Sequence, residues 1–130
     1  MLRLLCTAEF DDGWTEKFRK LVDMDRVGFS LDKDPKKRMG KEQIIRALKG
    51  YDIHISGYEK LSEEVLYQCP DLKLILSVRD GPEENIDIQA CTRLGIPVLF
   101  SSGRCERSVP EFTFLAMMMM AKPVLSATHV

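Results

Sequence analysis

The sequence predicts an α/β fold built on one parallel sheet, and three features lead to that prediction. Short β-rich runs alternate with helical stretches along the chain, which is typical of repeated βαβ units. Residues 72–78 are almost unbroken in their apolar character, as expected of a central parallel strand covered on both faces. The 130 residues, of which 45% are hydrophobic, suffice for one core and are too few for two full domains.

Hydrophobic periodicity, together with residues that end helices, predicts the elements of the first half of the chain. In order, these are a strand over 1–8, a helix over 14–22, a strand over 27–31, a helix over 41–49 and a strand over 52–56. On the first helix, one face carries Trp14, Phe18, Leu21 and Val22. Gly50 is expected to end the second helix.

The second half continues the alternation. A short helix is expected from Ser62 to the residue before Pro70, and strand four over 72–78. Asn85 is a good N-cap for the next helix, Gly95 ends that helix, and strand five follows over 97–100. Five strands and five helices in alternation predict a flavodoxin-like three-layer α/β/α sandwich with the strand order 2-1-3-4-5.

The last helix is the most informative element. Ser108 followed by Glu111 fits a capping box, and Pro110 is tolerated in the first turn. Residues 112–121 then present apolar side chains on all sides, whereas a helix that covers one sheet face needs only one apolar stripe. We therefore expect a further domain or a partner subunit to cover this helix. The alternatives are methionines that fill an irregular core, or a contact between two copies of the chain.

Composition excludes several classes of function. With 19 basic and 20 acidic side chains the formal net charge is -1, so no long-range field attracts nucleic acid or an anionic membrane. The longest apolar run, 112–121, is too short to cross a bilayer and the start has no secretory signal, so a cytoplasmic location is expected. The 4 cysteines are far apart without a Cys-x-x-Cys pair, which predicts incidental thiols rather than a metal site or a disulfide scaffold.

Five stretches of the second half have an order and spacing that are specific when taken together. They are LSEEVL at 61–66, PDLKLI at 70–75, RDGPEENID at 79–87, GIPV at 95–98 and RSVPEFT at 107–113. From about Tyr51 onward the chain thereby resembles D-isomer-specific 2-hydroxyacid dehydrogenases, particularly the phosphoglycerate dehydrogenase-like branch. The first 50 residues share only the βα rhythm.

The resemblance implies a two-domain enzyme with a flavodoxin-like substrate domain and a Rossmann domain that binds NAD. Residues 1–107 would be the substrate domain, and residues 108–130 the crossover helix toward a missing Rossmann domain. The family's Gly-x-Gly-x-x-Gly turn and its catalytic arginine, glutamate and histidine lie in or after the nucleotide domain, and none of those motifs occurs here. The resemblance thus implies a chain truncated before its nucleotide-binding half. NAD would serve the parent enzyme, while the chain alone would hold no cofactor and no catalytic residue.

The resemblance also implies a substrate-binding loop. Ligands of open parallel sheets bind beyond the carboxyl ends of the strands. There, Arg79, Asp80, Gly81 and Pro82 match the family's glycine-containing loop, which holds the substrate carboxylate with backbone N–H groups. Arg79 adds a charge capable of bidentate binding, although a surface turn in which it pairs with Glu83 or Glu84 is the alternative. Asp80 stands where relatives commonly have a second glycine, and it would repel an acid unless its side chain points away.

Two further loops carry weaker signals. Ser56, Gly57 and Tyr58 match a family loop that lines the substrate from the opposite wall, although a simple turn is equally compatible with the sequence. After strand five, Arg104 and Val109 are the candidate cofactor-binding residues, because the resemblance places this region at the domain cleft. Cys105 replaces a frequent asparagine, and no acid or histidine is placed to activate it as a nucleophile.

Two features are interpreted as structural. His54 lies between two isoleucines on a central strand, which predicts a hydrogen-bonded core histidine. The basic run over 33–38 is interrupted by acidic residues and is expected to be a solvated loop.

Two functions from different classes remain. The first is the substrate-binding domain of an NAD-dependent D-2-hydroxyacid dehydrogenase, whose substrate is a small 2-hydroxy or 2-oxo acid. The second is a standalone flavodoxin-like module that binds a small anion or forms a homo-oligomer through the Met-rich last helix. A phosphoacceptor receiver domain is disfavoured, because Ser56 occupies the position where such domains need an aspartate.

Overall fold

A computed structural model of the protein describes residues 1–28 and 38–122. In chain order its elements are β1 (Arg3–Cys6), α1 (Asp12–Arg19), β2 (Asp23–Arg26), α2 (Lys41–Leu48), β3 (Ile53–Ser56), α3 (Glu63–Tyr67), β4 (Leu74–Ser77), a 3₁₀ turn (Pro82–Glu84), α4 (Ile88–Leu94), β5 (Val98–Phe100) and α5 (Ser108–Ala121). Within the described residues one parallel sheet has the order β2-β1-β3-β4-β5. This confirms the predicted α/β class and strand order.

Two apolar clusters lie on opposite faces of the sheet. Successive strand residues point to opposite faces, so Leu5 faces one side while Leu4 and Cys6 face the other. Leu5 belongs to the cluster that includes buried residues of α2, α3 and α4. Leu4 and Cys6 belong to the second cluster, against which Phe18 of α1 packs. The layers are therefore helix, sheet and helix, as predicted.

The prediction for the second strand is wrong. The strand is β2, at Asp23–Arg26, rather than at 27–31, of which residues 29–31 lie outside the described part of the chain. β2 is an edge strand on which Met24 alone is buried, while Arg3 forms ion pairs with Asp23 and Asp25 at 3.9 and 3.7 Å. Charged side chains are common on sheet edges, and they hide the strand from a search for apolar runs.

α1 is also rotated relative to the predicted face. Within α1, Thr15 is buried and Phe18 is half-buried, and Val22, which follows the end of the helix, is also half-buried. Trp14 and Leu21, predicted to face inward, are 55% and 75% exposed. The threonine hydroxyl donates to the Asp11 carbonyl at 3.0 Å, which satisfies a polar group that apolar periodicity does not mark.

Two predicted helix caps are wrong. Asn85 ends the 3₁₀ turn, and α4 is instead capped by Asp87, whose carboxylate accepts from the Ala90 N–H at 2.9 Å. α5 begins at Ser108 with Arg107 as its N-cap residue, and no side chain there forms a capping hydrogen bond. The capping box expected from Ser108 and Glu111 is therefore absent.

α5 is uncovered by the described part of the chain. None of its residues is buried, and Phe112 and Met120 are 73% and 89% exposed. The expectation of a helix that is apolar on all sides and lacks a cover within this domain is confirmed for the described residues. Among those residues, no helix is both long enough and apolar enough to span a membrane.

Three of the 4 cysteines are buried thiols of the core. Cys6, Cys69 and Cys91 are buried and unbridged, and Cys105 is exposed. Burial raises the pKa of Cys6 to about 11, which keeps its thiol protonated. No group of histidine, cysteine and carboxylate residues in the described ranges is placed to hold a metal ion.

His54 is a core residue, as predicted. Its side chain is fully buried, and Nδ1 lies 3.2 Å from the Leu5 carbonyl oxygen. Burial disfavours the charged imidazolium and lowers the pKa of His54 to about 4. The folded protein therefore holds a neutral imidazole through most of the mildly acidic range.

This neutral histidine predicts a loss of stability in acid. The unfolded chain takes up a proton near the ordinary pKa of 6.5, while the folded chain does so only near 4, so stability falls as the pH drops through that window. The free energy of unfolding should decrease by about 3 kcal/mol from this group. Urea unfolding between the two pKa values measures the slope, and His54→Leu should remove this part of it. An unchanged slope in the variant would contradict the assignment.

Candidate functional site

The candidate site lies where β3 and β4 end side by side. Ser56 and Ser77, the last residues of these strands, are paired in the parallel ladder. The loops that follow them therefore emerge at the same edge of the sheet, together with the connection from β5 to α5. This carboxyl edge is where open parallel α/β sheets bind ligands.

A buried polar network holds these loops in place. Glu59 is 1% exposed, and its Oε2 accepts from the Thr7 hydroxyl at 2.7 Å and from the Tyr58 N–H at 3.2 Å. The amide of Asn85 donates to the Ser56 hydroxyl at 3.3 Å and to the Glu59 carbonyl at 3.0 Å. A buried carboxylate is costly without such partners. The network thus joins the segments that follow β1, β3 and β4.

Of the three residues predicted after β3, two lie beneath the surface. The Ser56 side chain is fully buried against Asn85, and the Gly57 N–H points to the Thr7 hydroxyl at 3.4 Å. A Cβ on Gly57 would lie 3.0 Å from the Cα of Ala8, so glycine permits this close approach. Tyr58 is the member that reaches the surface, where it is 44% exposed.

Tyr58 is contacted by two arginines. The guanidinium carbon of Arg38 lies 4.1 Å from the ring centroid, and that of Arg79 lies 5.7 Å from it. Arg38 closes the basic run that we expected to be a solvated loop; residues 33–37 of that run lie outside the described residues. For Arg38 itself, the contact with Tyr58 places the side chain at the candidate site.

Arg79 forms a surface ion pair, which is the alternative to binding a ligand carboxylate. Its guanidinium pairs with the carboxylate of Glu84. The side chains of Arg79 and Glu84 are 32% and 64% exposed, and pairs of this kind contribute at most about 1 kcal/mol. A ligand carboxylate can therefore replace Glu84 at small cost.

The loop offers two backbone donors beside Arg79. Within the described residues, no protein atom accepts from the N–H groups of Asp80 and Gly81. Pro82, which lacks an N–H, is buried and begins the 3₁₀ turn. Two adjacent amides and one guanidinium are suited to an anionic oxygen group.

Asp80 points away from this group of donors. Its carboxylate accepts from the Gly103 N–H at 2.8 Å, and in return Arg104 donates from Nη1 to the Val78 carbonyl at 2.8 Å. These two bonds form a brace between the end of β4 and the connection that leads to α5. The repulsion expected from Asp80 is reduced, because its charge faces Gly103.

An open groove beside the loop is less suited to an acid. It encloses about 430 Å³ and is lined by Lys60, Leu61, Ser62, Glu83, Glu84, Asn85, Ile86, Asp87, Ile88 and Gln89. Three carboxylates face one lysine in this set, so a further anion would be repelled there.

The brace predicts a local change in backbone protection. Asp80→Ala removes the acceptor of the Gly103 N–H, and exchange of that amide with solvent should accelerate about tenfold or more. Asp80→Asn retains an acceptor oxygen and should preserve most of the protection. Amide hydrogen exchange by NMR measures the effect, with Asp71→Ala, at an exposed carboxylate preceding β4, as the control. Equal exchange in Asp80→Ala and the parent chain would rule out the brace.

The fold is that of an open parallel α/β domain, a class that binds ligands beyond the carboxyl ends of its strands. The family model described as D-isomer specific 2-hydroxyacid dehydrogenase, catalytic domain, matches residues 13–129. The chain belongs to this family. That membership confirms the resemblance inferred from the five stretches of the second half.

Individual proteins are similar to this chain in sequence or in fold. Glyoxylate reductase from Aeropyrum pernix is 31% identical over 71 residues, which are 55% of this chain and 21% of that protein. The D-lactate dehydrogenase of Aquifex aeolicus, solved with NAD and lactic acid, superposes with a TM-score of 0.72 at 24% identity, covering 98% of this chain and 36% of that one. The NAD-bound 3-phosphoglycerate dehydrogenase of Entamoeba histolytica gives 0.66 at 24% identity, covering 91% and 38%. The chain thus spans well under half the length of these relatives.

The first strand–helix connection does not fit a dinucleotide. Dinucleotide-binding folds place the pyrophosphate on a glycine-rich turn at a helix N-terminus. The connection from β1 to α1 instead carries Glu9 and Asp11, and Asp12 stands in the first turn of the helix. Asp12 pairs with Arg26, but Glu9 and Asp11 still leave this connection acidic, which disfavours a pyrophosphate. Arg104 donates to the carbonyl of Val78, the residue after β4, and Val109 is 57% exposed on α5; their contact with a cofactor stays a prediction.

Proposed function

We propose that this chain is the substrate-binding domain of an NAD-dependent D-2-hydroxyacid dehydrogenase, and that its loop at 79–82 binds the carboxylate of a small 2-hydroxy or 2-oxo acid. The observation that carries the proposal is that the N–H groups of Asp80 and Gly81, which follow directly on Arg79 at the carboxyl edge of the sheet, have no acceptor among the described residues. Membership of the family supplies the reaction class.

The chemistry assigned to this chain is binding and orientation. A carboxylate that accepts from Arg79 and from two adjacent amides has its plane and direction fixed, which presents the neighbouring carbon in one orientation. NAD would supply the hydride acceptor in the parent enzyme. The buried network of Glu59 and Asn85 holds the loop before the acid arrives, so little ordering is required on binding.

The domain division follows from the same proposal. Residues 1–107 form the substrate domain, and residues 108–130 lead toward a nucleotide-binding domain encoded outside these 130 residues. Hydride transfer by this chain alone is not expected. The cytoplasmic location stays a prediction from the sequence.

Binding of a simple acid tests the role of the loop. Adding D-lactate to the ¹⁵N-labelled chain at low ionic strength should shift the amide resonances of Asp80 and Gly81. Arg79→Gln should weaken this binding at least about fivefold, because it removes a charge-assisted donor. The matched control is Arg93→Gln, since Arg93 also pairs with a glutamate, Glu63, at 2.6 Å on the surface. The proposal would be abandoned if D-lactate left both amides unshifted, or if the two variants bound it equally.

The uncovered α5 supports a second part of the proposal. We infer that another protein surface covers this helix, namely the nucleotide domain in the parent enzyme and a second copy in a preparation of this chain alone. The apolar residues Phe112, Phe114, Leu115, Met117 and Met120 are each more than half exposed. An apolar surface of this kind is typical of an interface.

Association of the isolated chain should depend on α5. Sedimentation velocity at high micromolar concentration should show dimers or larger species. The double change Phe112→Glu with Met120→Lys should give monomers, because it places charge on the surface that association would bury. Leu21→Glu, at another exposed apolar residue outside α5, is the control and should leave association unchanged. If the chain without substitutions stays monomeric at this concentration, self-association through α5 is contradicted.

A further inference from the structure

We propose that the isolated chain forms an exchanged dimer, in which α5 of each copy packs on an uncovered patch of the other copy's sheet. The patch consists of Leu76, Val78 and Leu99, on the face of the sheet that carries the second apolar cluster. The inference rests on the second part of the proposed function, that a second copy covers α5, and it adds the surface on which the helix lies.

Burial decreases across this face of the sheet, from its centre to the β5 edge. Cys6, Ile55, Leu76 and Leu99 are paired in succession from β1 to β5, so their side chains share one face. Cys6 and Ile55 are 0% and 2% exposed, Leu76 is half-buried, and Leu99 is 59% exposed. α1 is the described helix that packs on this face, where Phe18 contacts the cluster that includes residues of β1 and β2.

The opposite face of the same strands is covered as far as the edge. There the paired row runs through Leu5, His54, Ile75 and Val98. The first three are buried, and Val98 is half-buried against the first apolar cluster. Parallel sheets are normally covered on both faces. The patch on β4 and β5 therefore lacks one helical layer within the described residues.

α5 has the dimensions and the chemistry of the missing layer. Its 14 residues form about 21 Å of helix. A helix about 10 Å wide covers two adjacent strands, which lie about 5 Å apart. Of the described helices, α5 alone has no buried residue. Because residues 112–121 include no charged side chain, this part of the helix can pack on the patch without burying a charge.

The connection before α5 favours a second copy over the same chain. Gly103 and Arg104 are bound to Asp80 and Val78 after the end of β4, and in this arrangement α5 leaves Leu99 exposed. A second copy provides its helix while these bonds stay in place, as in domain swapping. Each copy then buries a helix face and a sheet face, whereas contact between two α5 helices would leave both patches uncovered. The exchange therefore brings the buried area closer to the roughly 800 Å² per partner that is typical of stable dimers.

A charge on the patch tests where the helix lies. Leu99→Lys should weaken the dimer at least about tenfold, because association would bury a lysine that has no partner. The matched control is Phe100→Lys, since Phe100 is the next residue of β5, is 51% exposed and has its side chain on the opposite face. Sedimentation equilibrium over a micromolar concentration series measures both dissociation constants. Equal dissociation constants for the two variants would contradict the proposal.

Mixing two variants that cannot associate alone tests the exchange itself. The chain with Phe112→Glu and Met120→Lys has a charged helix and an intact patch, while the chain with Leu99→Lys has an intact helix and a charged patch. Unlabelled Leu99→Lys chain, added to the ¹⁵N-labelled double variant, should shift the amide resonances of Leu76 and Leu99, because one contact of helix and sheet is restored. Unlabelled double variant should leave them unshifted. Absence of the shift on mixing overturns the exchange.

The outcomes separate this inference from the proposed function. If the chain without substitutions is monomeric, both the exchange and self-association through α5 are overturned. If Leu99→Lys dimerises as tightly as that chain, only the position of the helix on the patch is overturned, and association is assigned to contact between α5 helices. Acid binding by the loop at 79–82 is measured separately with D-lactate and does not depend on either result.

Discussion

The carboxylate of Glu59 is the interaction on which the carboxyl edge of the sheet depends. It lies in the interior, 1% exposed, and it is bound by the Thr7 hydroxyl and by the N–H group of Tyr58. Its backbone carbonyl accepts from Asn85, which also reaches Ser56. Charged groups are rarely buried unless they are paired or hydrogen-bonded, because desolvation is costly. The three loops can therefore occupy this arrangement only together, and the surface formed by Tyr58, Arg79 and the adjacent amides follows from it.

The brace between Asp80 and Gly103 links that surface to α5. Two hydrogen bonds join the residues after β4 to the connection that leads to α5. The Gly103 N–H donates to the Asp80 carboxylate, and Arg104 donates to the Val78 carbonyl. The loop at 79–82 is thus joined to the connection that leads to the uncovered helix, although the two are separate in sequence.

The architecture could be predicted from the sequence because the central strands are buried on both faces. Residues 72–78 are an apolar run for that reason. β2, at the sheet edge, has charged residues on both sides of Met24, so the apolar pattern predicts this strand too far along the chain. The loop at 79–82 could be located by its motif. Local pattern alone could not show that Asn85 turns inward rather than capping a helix, since both uses favour asparagine near a helix start.

The rest of the site depends on contacts between distant residues. From the sequence pattern alone, Glu59 would be expected on the surface. Its burial depends on Thr7, which is 52 positions away. Arg38 belongs to a charged run, and its position over Tyr58 requires the segment before α2 to return to the end of β3. Neither arrangement leaves a periodic signal, because hydrogen bonding and ring contacts between loops have no fixed spacing along the chain.

The methionines of α5 add a chemical consequence to its exposure. Met117, Met118 and Met120 are 63%, 41% and 89% exposed, so their thioethers are open to oxidants in a way that a packed core prevents. Conversion to the sulfoxide makes such a side chain polar and chiral, and it weakens Met-rich contacts. A preparation of this chain that is exposed to air would therefore lose the apolar character of α5 first, while the sheet and the loop at 79–82 stay intact. The extent of methionine oxidation in a sample, rather than its folding, would then determine whether copies of the chain associate.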